Sequence, residues 1–126
     1  MPFNVTWKKK FVLFEYFGDV SSSELIESNQ DVYGDQRFDD LNWELVYFDK
    51  ADSVELDERT IQFIAYMDLA ASRSNPDIIV AFVGQTEVLD KIETLYSNIG
   101  KDPVWPVIRF DSCEEAIAYI TQSEHP

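Results

Sequence analysis

Five acids fall within ten residues, Asp49, Asp52, Glu55, Asp57 and Glu58, in the stretch FDKADSVELDERT from Phe48 to Thr60. Paired carboxylates can serve general acid–base catalysis, and oxygen ligands alone suffice for calcium or magnesium. The spacing lacks the alternating ligand positions and central glycine of a calcium loop. Nothing selects one carboxylate pair from so many. A solvated acidic surface is therefore the default, with a weak divalent site as the alternative.

Other chemistry finds less support. His125 is the single histidine and stands next to the last residue, so no Ser–His or Cys–His pair is expected. Cys113 falls one residue past a helix cap, where packing as a small hydrophobe is expected, although a helix start can lower a thiol pKa. The four glycines, Gly18, Gly34, Gly84 and Gly100, each fall at an element boundary, and none forms a phosphate loop. No catalytic residue, metal or cofactor is expected, and the chain reads as a non-enzyme.

Charge narrows the partners. Of a formal net charge of −14, residues 11–58 carry 14 acids against only Arg37 and Lys50. Such a field repels phosphate backbones and anionic lipid, so nucleic acid is not an expected partner. Lys8, Lys9 and Lys10 are the local exception and read as a solvated hairpin turn. One cysteine rules out an intrachain disulfide framework. No apolar run approaches the ~20 residues of a membrane span, and Met1 to Lys10 lacks the apolar segment of a secretory signal. A cytoplasmic location is expected.

The elements that must position these residues follow from periodicity. Phe3 to Trp7 alternates apolar and polar as a half-buried strand does, and Phe11 to Phe17 makes the second strand of a hairpin. Ser21 and Glu24 fit a capping box that starts a helix ending near Gly34. Phe38 and Leu41 anchor a polar stretch. Trp43 to Phe48 reads as a nearly continuous apolar strand covered on both faces. A loop follows. Asp57 caps a second helix to about Ser72, apolar around most of its circumference and so expected to be central or to face a partner or ligand. Asn75-Pro76 breaks the chain before the strand Ile78 to Val83. Thr86 caps a third helix that ends at Gly100. Val107 to Phe110 is the fifth strand, and Ser112 with Glu115 forms a second capping box. Residues 1–126 are thus expected to form one α/β domain. Its order is β-β-α-β-α-β-α-β-α, with four helices on a five-stranded mixed, mainly parallel sheet.

This order, over about Phe3 to Ile120, resembles the STAS domains, the anti-sigma-factor-antagonist-like modules. In that family the third strand ends in an Asp, and an Asp-Ser-Ser/Thr-Gly motif opens the second helix eight residues later. Asp49 and Asp57 have that separation. Glu58, Arg59 and Thr60 then depart from the motif, and Arg59 stands at the place of the phosphorylated residue. Thr60 lies one position further, in a different register. The resemblance implies the fold without the phosphorylation switch. The chain is also similar to a divergent branch of small bacterial proteins with likeness to lipid-binding CRAL-TRIO-type domains. Ile61 to Ala71, Asn75-Pro76 and Trp105-Pro106 match that pattern.

Two functions follow. One is a regulatory module that binds a protein, unidentified from sequence, through Arg59, Gln62, Phe63 and Tyr66. The other is a carrier or sensor of a small apolar, lipid-like ligand, with peripheral membrane association. Its pocket would lie between the second helix and the sheet, lined by Phe63, Met67, Phe82 and Trp105. The oligomeric state is not legible.

Overall fold

The computed structural model describes residues 3–100 and 103–123. His125 lies outside the described residues. Strands β1 (Phe3–Trp7) and β2 (Phe11–Tyr16) form the hairpin, closed by a hydrogen bond from Lys8 N–H to the Phe11 carbonyl. β4 (Trp43–Tyr47), β6 (Ile79–Val83) and β7 (Val107–Phe110) add to β2 in parallel, giving the order β1-β2-β4-β6-β7. Only β1 runs against the rest. The five-stranded mixed sheet and the four helices α1 (Ser22–Tyr33), α2 (Glu58–Ser74), α3 (Thr86–Asn98) and α4 (Cys113–Ser123) are those expected.

Strand alternation divides the core into two layers. Trp43, Leu45, Ala81 and Val83 face α4, whose Ala116 and Ile120 complete a small back core. Val12, Phe14, Tyr16, Val46, Val80 and Phe82 face the opposite way, beneath α1, α2 and α3. Parallel strands need crossovers, and three of them place helices side by side on this front face.

The stretch after Asp49 is not a plain loop. Ala51–Val54 is a short strand, β5, which pairs in parallel with β3 (Gly18–Val20) as a separate two-stranded sheet. Gly18 adopts φ +60, a conformation that favours glycine, at the bulge of this pairing. The reason for the difference from expectation is tertiary: ADSV has no apolar period, and its order comes from a partner segment on the far side of α1.

Local capping rules hold at most ends. Ser21 Oγ accepts from Glu24 N–H at 3.2 Å while Glu24 accepts from Ser21 N–H at 2.8 Å, a complete capping box. Ser112 Oγ accepts from Glu115 N–H at 3.1 Å. The third helix differs: Gln85, not Thr86, is its N-cap, and no side chain caps it.

α2 is not apolar all round in the structure. Thr60, Ile61, Ala65 and Ala71 are buried, whereas Phe63, Tyr66 and Leu69 are exposed. α2 lies between α1 and α3 in a single layer, so its inner stripe alone meets the sheet and its outer face meets solvent.

Candidate functional site

The helix start comes first. Asp57 Oδ1 accepts from Thr60 N–H at 2.8 Å, so the carboxylate is the N-cap, and that bond holds its pKa below the usual value. Glu55 accepts from the Ser22 hydroxyl at the start of α1. Asp49, Asp57, Glu58 and Arg59 are exposed, while Thr60 is 5% exposed. Arg59 therefore presents its side chain at the helix start and the neighbouring hydroxyl is turned inward. Among the described residues, no three acidic, cysteine or histidine side chains converge as metal ligands. Cys113 is half-buried against the back core, and burial, with Glu15 and Asp49 nearby, pushes its thiol up rather than down.

The more distinctive feature is a cavity of about 460 Å³ between the front face of the sheet and the helices. Phe14, Val46 and Phe82 form its floor, and Ile61, Ile64 and Leu89 its roof. Trp105 closes one side. Its indole Nε1 donates to the Asn75 carbonyl at 3.0 Å, and its ring stands edge-on to Tyr33 with centroids 6.0 Å apart. Asn75 in turn donates to the Phe38 and Leu41 carbonyls at 2.9 and 2.8 Å. The Asn-Pro break thus fixes the cavity wall as well as ending α2.

Inside this apolar shell is a polar cluster. Glu44, the second residue of β4, is 4% exposed, and its registered neighbours are Val12 and Val80. Burial first, and Asp68 second, push the Glu44 carboxyl well above its ordinary value, with Tyr33 partly opposing the rise. Tyr33 Oη donates to Asp68 Oδ1 at 2.5 Å and Tyr96 Oη to Asp68 Oδ2 at 3.3 Å. Burial raises Asp68 to about 6 despite both bonds. Glu44 Oε2 has no hydrogen-bond partner among the described residues.

Of the residues expected at the pocket, Phe82 and Trp105 line this cavity. Phe63 does not. It is 47% exposed on the outer face of α2, beside Gln62 and near Tyr66 at 53%. Met67 is half-buried but is not part of the lining. The helix phase is the reason, since Ile61, Ile64 and Asp68 occupy the inward stripe at spacings of three and four. Glu44 and Asp68 were the unread signals. Glu44 is the one acid of an otherwise apolar strand, and Asp68 interrupts the apolar run from Phe63 to Ala71.

No protein-family model matches the sequence, and no curated protein does. Solved structures do match. The anti-sigma factor antagonist SpoIIAA in its unphosphorylated form superposes with a TM-score of 0.63 at 10% identity, over 98% of this chain and 99% of that one. The fold is STAS-like. The phosphorylated form of the Bacillus cell fate determinant SpoIIAA gives 0.62 at 12% identity, over 94% and 98% of the two chains. An uncharacterized Shewanella loihica protein with a SpoIIAA-like fold gives 0.48 at 13%, over 93% and 90%. The likeness to the two SpoIIAA structures, at 10% and 12% identity, establishes the STAS-like architecture alone, and function rests on this chain's own residues.

Proposed function

We propose that this chain is a non-catalytic STAS-like module that takes a small, largely apolar ligand into the cavity beneath α1, α2 and α3, as carrier or sensor. The cavity itself carries the reading. Its volume falls within the ~300–1,000 Å³ of small-molecule sites, and apolar walls with a few convergent polar groups are the usual composition of such sites. Octanol titrated into the protein should quench or shift Trp105 fluorescence saturably. Val46→Phe, which fills the floor, should abolish the response while the fold is kept. A non-saturable response, or one indifferent to Val46→Phe, counts against a ligand cavity.

A second reading is favoured by a separate observation. Phe63, Tyr66 and Leu69 form an exposed apolar strip on α2, next to the exposed Arg59 and Gln62. The fold likeness to an anti-sigma factor antagonist supports a regulatory module with a protein partner on this face. Arg59 in place of a hydroxyl, with Thr60 buried, supports a contact independent of phosphorylation. The acidic field would steer a partner with a basic surface. Affinity capture followed by Arg59→Glu and Glu58→Lys tests this. A partner retained equally by the variants, or none at all, sinks it.

A further inference from the structure

The Glu44–Asp68 cluster holds a shortage of hydrogen-bond donors. Glu44 and Asp68 bring four carboxyl oxygens. Tyr33 from α1 and Tyr96 from α3 bring one hydroxyl proton each, and both are directed at Asp68. Tyr16 from β2 shares its hydroxyl with Ser28 at 2.6 Å. Glu44 Oε2 is left buried, on the cavity lining, with no donor among the described residues. A buried acceptor in that state is destabilising, and a leucine between Val12 and Val80 would carry no such cost.

The remaining charge favours one class of head group. At the rim Arg109 donates to Asp90 at 2.9 Å and to Glu93 at 2.7 Å, so it is already claimed by two acids and is a poor receptor for an anion. A carboxylate or phosphate head would bring further acceptors and like charge against Glu44 and Asp68. A hydroxyl brings one donor, an ammonium three. A bare metal ion would need further ligands that do not converge here among the described residues.

We propose that the cavity selects an apolar amine, whose chain fills the apolar space and whose ammonium head donates to Glu44 Oε2 and faces Asp68. The inference rests on the ligand-cavity reading and narrows its ligand. Before binding, burial and Asp68 shift the Glu44 carboxyl toward its neutral form, and a free alkylamine is an ammonium ion. The complex contains an ammonium–carboxylate pair, so binding shifts Glu44 toward its ionised form and releases protons to the buffer.

Octylamine, octanol and octanoate, matched in chain length, separate the possibilities in isothermal titration with the full chain at neutral pH. Octylamine should bind at least about tenfold more tightly than octanol, with octanoate weakest. Titration in buffers of different ionisation enthalpy should show proton release with the amine and none with octanol. Glu44→Gln should lose both the amine preference and the proton release while still binding octanol. Asp68→Asn should weaken the preference in a second background. Equal binding of amine and alcohol, tighter binding of octanoate, or an amine preference that survives Glu44→Gln overturns the inference and leaves the cavity reading in place. Failure of all three probes to bind overturns both.

Discussion

Asp68 carries a consequence for stability that its neighbours dictate. Its carboxyl is raised from an ordinary 3.8 to about 6, chiefly by burial. The folded chain therefore holds this proton more tightly than the unfolded chain does. The associated stability is present below the unfolded value and is lost as pH rises through the folded one, that is between about pH 4 and about pH 6. The rise corresponds to about 3 kcal/mol. Asp68→Asn cannot titrate. Its unfolding free energy relative to the parent should improve by about 2 kcal/mol between pH 4 and pH 7, measured by urea denaturation at both. Parallel pH profiles would contradict the burial assigned to this carboxyl. Glu44 is displaced in the same direction and adds to the same trend in the parent chain.

At the scale of elements, Asn75 joins three that are distant in sequence. Its side chain satisfies the carbonyls of Phe38 and Leu41 around the 3-10 turn (Gln36–Asp40), and its own carbonyl receives the Trp105 indole. Asn75→Ala takes the side-chain donor from the Leu41 carbonyl and one of two donors from the Phe38 carbonyl, which keeps the Leu41 N–H, and should destabilise the fold by about 1–3 kcal/mol in chemical denaturation. A loss below about 1 kcal/mol would show that the turn holds without this bridge. The α1 cap is more local. Ser21→Ala removes the acceptor for Glu24 N–H and should cost about 1 kcal/mol. The contrast between these two losses measures how far a polar side chain reaches: one closes a turn of helix, the other fastens the cavity wall to the end of α2. The α2 phase belongs to this scale too. The sequence shows an apolar helix, but its placement between α1 and α3 decides that Ile61, Ile64 and Asp68 point inward and Phe63 and Tyr66 outward.

For the whole molecule, a net charge of −14 on 126 residues acts against compaction. Added sodium chloride screens this repulsion, so the melting temperature should rise by a few degrees from low to moderate salt. A melting temperature that falls or stays level would mean that local ion pairs offset the global field. What the sequence by itself determined is what short-range rules govern: the Ser21–Glu24 capping box, the Asp57 cap, the punctuation at Asn75-Pro76, and the element order that makes the sheet mainly parallel. Tertiary structure alone decided the rest. The β3–β5 pairing joins segments separated by α1 and a strand, and neither has an apolar period to announce it. The cavity is the space left where the sheet and three helices do not close together, a property of no single segment. Glu44 and Asp68 are ordinary acids in the chain; only the tertiary packing buries Glu44, half-buries Asp68 and brings both onto one cavity lining.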